Sequence, residues 1–307
     1  MKVTLEQWRM LKAVVDHGGF AHAAAVVHKS QSSIHHAIQK MEQMLDVKLL
    51  EVKGRKAYLT DAGRLLLHRA EHLLESAANI DSLAASLHAG AEAEISIAVD
   101  QIFPPEYIGT VLQRFSNEYP NTRIQLYETV LSGAAEALIK GQVDLAIAGA
   151  GVAHFMAEPL FTVDFMAVAS PEHPIFRRYS EAQPLQLDDL MNYRQLVTRD
   201  SALEQQVDSG WLQADERWTV SNIATSIEMI CRGMGFAWVP VTRISCLLSQ
   251  EVLRPIPLAV GGRRRITLQL YYAKHDQGPG LQRIAELLHQ CCEEDVSNLS
   301  NTKSEIK

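Results

Sequence analysis

Polar side chains that could read DNA bases are concentrated between residues 31 and 39. A glutamine side chain can bond bidentately to adenine, and a serine hydroxyl can act as donor or acceptor toward a base edge. Ser30 and Ser33 could instead serve only to cap a helix. The candidates occupy a segment with helical periodicity, and they are Gln31, Ser32, Ser33, His35, His36 and Gln39.

Three cations between residues 53 and 56 form a second candidate group. Lys53, Arg55 and Lys56 flank Gly54 between two short extended runs, which predicts a basic hairpin tip. Such a tip can contact phosphates or enter the minor groove. For each cation taken alone, a solvated position without a partner is the alternative.

The elements that would position both groups are three helices and this hairpin. Apolar residues at helical spacing predict helices over residues 4–17 and 20–27, separated by Gly18-Gly19. Ser30 is a natural N-cap for a third helix. Its apolar face would be Ile34, Ile38, Met41 and Leu45. These parts, within residues 1–60, make a winged helix-turn-helix, whose recognition helix presents its N-terminal residues to base edges in the major groove.

Charge is distributed unevenly along the chain. The whole chain of 307 residues carries a net charge of −7. Residues 1–60 contain nine Lys and Arg against five Asp and Glu, a net of +4, so the remainder carries −11. A basic head on an acidic body is compatible with nucleic-acid binding by the head alone.

Residues 61–89 predict a long helix with a narrow apolar stripe. Leu66, Leu73, Ile80 and Leu87 are spaced seven apart, with alanines four positions after the first three. This spacing is typical of a coiled-coil seam, so we expect the helix to pack against its own copy and form a dimer. Packing onto the body of the same chain is the alternative.

From residue 95 onward, short β runs alternate with helices. This order predicts an α/β fold with two open, mostly parallel sheets arranged as two lobes. Ligands are expected at the carboxyl ends of such strands. Residues 294–307 are polar and predict a disordered tail.

Several classes of protein are disfavoured by what the sequence lacks. No signal peptide and no run of ~18 apolar residues is present, so we expect a cytoplasmic protein without a membrane span. No nucleophile motif, HExxH set or complete dinucleotide fingerprint occurs, and we predict no enzyme, metal site or cofactor. Cys231 is expected to be a packing thiol rather than a redox sensor. A two-lobed solute-binding protein is the remaining alternative, and the DNA-binding head counts against it.

The order of motifs resembles that of the LysR-type transcriptional regulators over residues 3–293. The N-terminal carriers are Phe20, Ala23-Ala24, Ser30-Gln31-Ser32-Ser33-Ile34, Ile38, Glu42, Leu50 and Leu59-Thr60-Asp61-Ala62-Gly63. The later carriers are Arg114-Phe115, Tyr119-Pro120, Leu138, Gly141-Gln142-Val143-Asp144-Leu145-Ala146-Ile147 and Gly233-Met234-Gly235-Phe236-Ala237-Trp238-Val239-Pro240.

The resemblance implies a regulator that binds double-stranded promoter DNA as a tetramer and senses a small molecule between two Rossmann-like lobes, as in periplasmic binding proteins. It implies a winged helix-turn-helix at 1–60, a linker and dimerisation helix at 61–91, and an effector domain at 92–293. Lobe I would be residues 92–162 and 266–293, lobe II residues 163–265, and a disordered tail would occupy 294–307. The crossings would lie near Thr162-Val163 and Arg265-Ile266. His36 departs from the family, which commonly has an arginine there, so its phosphate contact would be weaker and pH-dependent.

The resemblance also implies a set of effector-binding residues, each of which could instead be ordinary loop chemistry. An aspartate at position 100, where the family often has Ser or Thr, would repel a carboxylate unless Arg199 or a ligand amine compensates. We therefore predict a ligand with cationic or hydrogen-bond donor character. Arg263, Arg264 and Arg265 are expected in a surface loop next to the hinge. The implied effector residues are Asp100, Gln101, Ile102, Phe103, Ser132, Gly149, Thr198, Arg199, Ser201 and Thr225.

Overall fold

The computed structural model describes residues 2–53, 56–88, 90–149, 151–152, 154–178, 184–274 and 277–304. Its contacts divide the chain into two compact units, Met1–Ala89 and Gly90–Lys307. Each unit has its own hydrophobic core.

The first unit contains the three predicted helices, the hairpin and the long helix. Its elements are α1 (Leu5–Asp16), α2 (Phe20–Val26), α3 (Gln31–Leu45), β1 (Leu50–Lys53), β2 (Lys56–Leu59) and α4 (Asp61–His88). The two strands pair antiparallel, with Leu50 opposite Leu59. Leu11, Val14, Ile34, Met41 and Leu49 are completely buried between these elements.

Local hydrogen bonds define where these helices begin. The Thr4 hydroxyl accepts from the Gln7 N–H, and the Gln7 side chain accepts from the Thr4 N–H, which is a capping box at the start of α1. The Ser30 hydroxyl accepts from the Ser33 N–H at 3.1 Å. This confirms Ser30 as the N-cap of α3.

A buried carboxylate connects α3 to the first strand of the hairpin. Glu42 accepts hydrogen bonds from the backbone N–H groups of Leu49 and Leu50 at 2.8 and 3.2 Å, and from Lys48 at 2.7 Å. Gly63 lies so close to this strand that an added Cβ would be 2.1 Å from the Leu49 carbonyl oxygen. These contacts fix the hairpin against the helices.

The second unit is built on one mixed sheet whose described strands number nine. They are β3 (Glu94–Asp100), β4 (Arg123–Thr129), β5 (Leu145–Gly149), β6 (Met156–Ala169), β7 (Gln195–Thr198), β8 (Arg217–Val220), β9 (Phe236–Pro240), β10 (Arg254–Pro255) and β11 (Arg263–Tyr272). The order is β4-β3-β5-β11-β6-β9-β7-β8, with β10 paired to β6. The helices are α5 (Pro105–Glu118), α6 (Gly133–Ile139), α7 (Ile223–Cys231), α8 (Val241–Ser249) and α9 (Pro279–Ser304).

The sheet has a parallel set of strands at each end and antiparallel pairs between them. Strands β4, β3 and β5 are mutually parallel, as are β8, β7 and β9. We call the part of the unit around β4, β3 and β5 the first half, and the part around β8, β7 and β9 the second half. The long strands β6 and β11 join the two halves, and Val163 lies opposite Ile266 in their antiparallel register. This confirms the predicted α/β class, but the two mostly parallel sheets that we predicted form one mixed sheet, because β6 and β11 pair with each other across both halves.

Side chains alternate across the sheet and give each half a core on both faces. Along β6, Met166 and Val168 pack on one face with α7 and α8, whereas Ala167 and Ala169 face the opposite core. This period of two is the geometry of a strand covered on both sides. The first half has equivalent cores on its two faces.

Three differences from the sequence prediction concern the ends and the number of elements. The apolar run Phe165–Ala169, which by itself predicts a short strand, is only the last part of β6. The strand begins at Met156, and its first part is partly exposed and carries polar residues that hide the pattern. Helix α8 was not predicted. Helix α9 continues to Ser304, although we predicted a disordered tail from residue 294. At the predicted boundary, Arg114 binds Glu294 through two hydrogen bonds of 3.2 and 3.1 Å.

Candidate functional sites

The exposed face of α3 carries the predicted DNA-binding side chains of the helix. Ile34 and Ile38 are buried in the core on the opposite face, so helical geometry turns the polar positions outward. The exposed residues are Gln31, Ser32, Ser33, His35, His36 and Gln39.

Neighbouring contacts distinguish capping from recognition within this face. Ser30 supplies the capping hydroxyl, and its Oγ also lies 3.0 Å from the Ser32 Oγ. Ser33 contributes only its backbone N–H to the cap, so capping does not occupy its hydroxyl. The His35 ring packs on Phe20 of α2 with ring centroids 5.2 Å apart, which orients it at the helix surface.

The predicted wing tip is described only in part. Gly54 and Arg55 lie outside the described residues, and Lys53 and Lys56 are described by their backbones, which pair at the end of the hairpin. The phosphate contacts of Lys53, Arg55 and Lys56 therefore stay a prediction.

Helix α4 divides its apolar residues between the core and solvent. Leu66 and Leu74 pack on the core of the first unit, and Ala70 is buried there. Further along, Leu73, Ile80 and Leu87 are 49, 67 and 47% exposed. The first turns of α4 therefore pack on the first unit of the same chain, as in the alternative interpretation. The rest of the apolar stripe, Leu73, Ile80 and Leu87, stays exposed.

A cavity of about 190 Å³ lies in the second unit, next to the place where β6 and β11 cross between the two halves. Segments from both halves form its wall. The lining residues are Asp100, Gln101, Ile102, Val130, Leu131, Phe165, Leu187, Gln195, Leu196, Val197, Thr198, Ser209, Gly210, Trp211, Leu212, Ile223, Ser226, Trp238, Gly261, Arg264 and Ile266.

Four of the ten predicted effector residues line this cavity, namely Asp100, Gln101, Ile102 and Thr198. Gln101 also joins the two halves. Its side-chain oxygen accepts from the Ile223 N–H at 2.9 Å, and its carbonyl oxygen accepts from Arg243 at 2.6 Å. A molecule in the cavity would thus touch a residue that holds the halves together.

The other predicted residues of the first half lie away from the cavity. Phe103 is only 1% exposed and belongs to the hydrophobic core. The Ser132 hydroxyl donates a hydrogen bond to the Asp200 carboxylate and so contacts the loop after β7. Gly149 ends β5, and its carbonyl oxygen accepts from the Tyr271 hydroxyl at 3.2 Å.

The remaining predicted residues of the second half are also outside the lining. Arg199 is exposed. The Ser201 hydroxyl bonds the backbone of Val130, at 2.9 Å from its nitrogen. Thr225 is exposed on α7, whereas its neighbour Ser226 is buried and lines the cavity. The buried hydroxyl that α7 presents to the cavity is therefore that of Ser226, not that of Thr225.

Asp100 is buried, and its carboxylate is largely used by the protein backbone. It accepts from the N–H groups of Ile102 and Leu131 at 3.0 and 3.1 Å. Burial raises the pKa of Asp100 to about 7; the hydrogen bonds lower the pKa and the charge of Asp200 raises it further. A carboxyl so placed is partly neutral near pH 7, and the predicted repulsion of a ligand carboxylate loses most of its basis.

Sequence reasoning missed the cation of the cavity. Arg264 lies in β11 opposite Phe165, not in a surface loop, and its guanidinium stacks 4.7 Å from the centre of the Phe165 ring. Burial lowers the pKa of Arg264. Arg199, which we expected to compensate the charge of Asp100, lies outside the cavity lining. The positive charge in the lining comes from Arg264 instead.

The cysteines among the described residues are free thiols. Burial raises the pKa of Cys231, and the charge of Glu228 raises it further. A raised pKa keeps the thiol protonated and poorly reactive, which favours the packing interpretation. No group of three metal-ligating side chains is found in the part of the chain that the structure describes. Within the same residues, no helix is long and apolar enough to cross a membrane.

Comparison with known families gives two matches in the order of the two units. The family described as "Bacterial regulatory helix-turn-helix protein, lysR family" matches residues 5–64, and the "LysR substrate binding domain" matches residues 88–293. The chain belongs to the LysR family. It is a transcriptional regulator with a DNA-binding head and an effector-binding body, not a member of an enzyme family, as the sequence predicted.

Individual relatives agree with this membership. The HTH-type transcriptional regulator YhaJ of Escherichia coli O157:H7 is 29% identical over 259 residues, covering 83% of this chain and 86% of its own. The Vibrio cholerae virulence activator AphB is similar in structure, with a TM-score of 0.51, 19% identity, and 94 and 99% of the two chains covered. LysG of Corynebacterium glutamicum, solved with bound effector Arg, gives a TM-score of 0.52 at 16% identity, covering 95 and 99%. These structures support the fold of this LysR-family chain.

Proposed function

We propose that this LysR-family regulator recognises specific promoter sequences through α3 and changes its DNA contacts when a small molecule occupies the cavity between the two halves of the second unit. The observation that carries the proposal is the exposed polar face of α3. It presents hydrogen-bonding side chains opposite a fully buried apolar face, as a recognition helix requires.

Base recognition is assigned to the N-terminal half of that face. Gln31 would bond an adenine, and Ser32 and Ser33 would bond base edges as donor or acceptor. His35 and Gln39 extend the same face. His36 would donate to a phosphate, and this contact strengthens when the ring is protonated. Lys53, Arg55 and Lys56 would bind phosphates or the minor groove from the hairpin.

Effector control is assigned to Asp100, Gln101, Ile102 and Thr198. A ligand that touches Ile102 of the first half and Thr198 of the second would favour the arrangement of halves in which both contacts are made. The contact between Gln101 and Ile223 lies in the same wall, and Gln101 is held from outside the lining by Arg243. The proposed lobes are the predicted ones, residues 92–162 with 266–293, and residues 163–265.

Self-association is part of the proposal. The exposed stripe of Leu73, Ile80 and Leu87 on α4 is spaced for a partner helix, and a second copy of α4 supplies the matching stripe. We propose a dimer through this helix, assembled further into a tetramer. We also propose that the protein acts in the cytoplasm, the compartment that holds promoter DNA.

A mobility-shift titration with the DNA upstream of its own gene tests the recognition surface. The double variant Gln31→Ala/Ser33→Ala should lose about tenfold or more in preference for that DNA over random duplex, since a bidentate base contact contributes about 1–3 kcal/mol of discrimination. Its helix should persist because the cap uses the Ser33 N–H, which alanine keeps.

The matched control is Gln43→Ala, an exposed residue at the other end of α3. It should bind as the wild type does. Salt-sensitive binding to random DNA should remain in all three proteins, because phosphate contacts do not depend on sequence. An unchanged preference in the double variant would remove α3 as the recognition helix.

A further inference from the structure

The chemistry of the cavity narrows the class of molecule that it can hold. Its two charged lining residues, Asp100 and Arg264, differ in how far the protein already uses them. Both carboxylate oxygens of Asp100 accept backbone hydrogen bonds. The Arg264 side chain has no ion pair or hydrogen bond among the described residues, and its buried Nε has no acceptor.

An unpartnered guanidinium in a cavity points to an anionic ligand. The Arg264 guanidinium stacks on the Phe165 ring, which holds it in place without neutralising it. On the other side it lies against Gly210, where an added Cβ would be 2.5 Å from Nη1. A positive φ of 85° and this close approach both favour glycine at position 210. The protein thus fixes the cation but leaves its hydrogen bonds for something else.

A second unpartnered group lies in the same wall. Gln195 is only 4% exposed, and its Nε2 donates to the Trp211 carbonyl oxygen at 2.7 Å. Because this bond assigns the amide nitrogen, the Oε1 atom is an acceptor, and it has no partner among the described residues. A buried acceptor without a partner is unfavourable, so a ligand donor here would be bound strongly.

The rest of the wall between these two groups is aromatic and aliphatic. The rings of Trp211 and Trp238 lie 5.8 Å apart, and the Trp238 indole N–H is already bonded to the Gly261 carbonyl oxygen at 2.8 Å. These rings therefore offer mainly apolar surface to a ligand. Flat aromatic molecules match such surface by offset or edge-to-face contacts.

We propose that the cavity binds a small aromatic acid that also carries a hydrogen-bond donor. Its acid group binds the Arg264 guanidinium, its donor binds Gln195 Oε1, and its ring packs against Trp211 and Trp238. This inference rests on the proposed function, in which the same cavity is the effector site. It keeps the hydrogen-bond donor that the sequence predicted for the ligand, but it replaces the predicted cationic character by an acid group.

Isothermal titration with matched probes tests the charge requirement. Benzoate, 4-hydroxybenzoate, 3-hydroxybenzoate and indole-3-carboxylate are each compared with their primary amides, which keep the ring and lose the charge. At least one acid should bind, and its amide should bind about tenfold more weakly or worse, as expected for a lost charge-assisted hydrogen bond. If no acid binds more tightly than its amide, the proposal is wrong.

Two neighbouring arginines provide the variant and its control. Arg264→Gln should abolish the preference for acid over amide, whereas Arg263→Gln, an exposed residue of the same strand, should keep it. Far-UV circular dichroism shows whether both variants are folded. A preference that survives in folded Arg264→Gln would overturn the assignment of this cation.

The donor requirement is tested separately with Gln195→Met. The wild type should bind the better hydroxybenzoate more tightly than benzoate, and this difference should disappear in Gln195→Met. An equal advantage of the hydroxyl in both proteins would contradict the role of Gln195. The preference for promoter DNA, measured on the same samples, tests the proposed function independently of the ligand class. A wild-type protein that prefers its promoter but binds none of the acids would refute only the proposed ligand class.

Discussion

Helix α3 and the cavity of the second unit bring their functional residues together in different ways. The six polar residues of α3 come from nine consecutive positions of one helix, and all six are exposed at its surface. The cavity collects residues from position 100 to position 266, and only strand pairing brings them into one wall. The first kind of site follows from local sequence, and the second from the fold as a whole.

The largest effect is expected from Glu42, the buried carboxylate that connects α3 to the backbone of Leu49 and Leu50. Glu42→Ala removes a buried carboxylate and leaves the N–H groups of Leu49 and Leu50 without their acceptor. We expect the first unit to lose about 3 kcal/mol in its free energy of unfolding, since each buried unpaired donor costs about 1–3 kcal/mol. Urea unfolding monitored by hydrogen exchange of α3 measures this loss.

The neighbour Gln43→Ala should be nearly neutral in the same measurement, because Gln43 is exposed. Burial tends to raise the pKa of Glu42, but the hydrogen bonds from Lys48, Leu49 and Leu50 lower it overall. The stabilisation by Glu42 is therefore present at neutral pH and is lost as the pH falls through its lowered pKa. If Glu42→Ala unfolded no more easily than Gln43→Ala, the support of α3 would lie elsewhere.

The stability contributed by Asp100 in the cavity should fall as the pH rises, whereas the stability contributed by Glu42 falls as the pH drops. Burial raises the pKa of Asp100 to about 7, so the folded protein keeps a proton that the unfolded chain releases near pH 4. The stability that this proton contributes is complete below that pH and is lost as the pH rises toward about 7, by at most about 1.4 kcal/mol per pH unit.

Asp100→Asn should flatten this part of the pH profile, because asparagine does not titrate. Thermal unfolding of the second unit between pH 5 and pH 8 gives the comparison. All other titratable groups are the same in both proteins, so their contributions cancel in the difference. Parallel profiles for the wild type and Asp100→Asn would mean that Asp100 is ionised throughout the range.

The smallest expected effect separates capping from recognition within α3. Ser30→Ala should destabilise the first unit by about 1 kcal/mol, as loss of an N-cap does, and should leave the ratio of specific to random DNA binding unchanged. Ser33→Ala should leave the stability of the first unit nearly unchanged and should lower the ratio of specific to random DNA binding. Guanidinium unfolding and competition binding on the two variants read these quantities independently. A drop in the DNA preference of Ser30→Ala would show that the cap also touches a base.

The same contrast explains which features the sequence could predict. The burial of Ile34, Ile38 and Met41 and the capping by Ser30 follow from helical spacing and side-chain chemistry, and the structure confirms them. The alternation of strands and helices in the second unit, apart from α8, also follows from local patterns. Such features depend on neighbours only a few positions away.

The wall of the cavity could not be predicted in the same way. Arg264 follows two glycines and stands between two other arginines, which is typical of a surface loop. It lines the cavity because β11 pairs with β6 and turns alternate side chains inward. Ser226 and Thr225 differ only in which side of α7 faces the sheet. The orientation of Arg264 depends on its pairing with the distant Phe165, and that of α7 on the strands against which it packs. No spacing within either segment encodes these orientations.

The pairing of β6 with β11 has a mechanical consequence for signalling. Two independent connectors would let the halves swing apart, but these strands are hydrogen-bonded to each other from Arg263 opposite Met166 to Tyr272 opposite Met156. Opening the cavity widely would break this ladder, whereas a small twist or bend keeps it intact. The paired strands thus resist a wide opening of the cavity, so in the proposed function a bound molecule would change the twist between the halves rather than separate them.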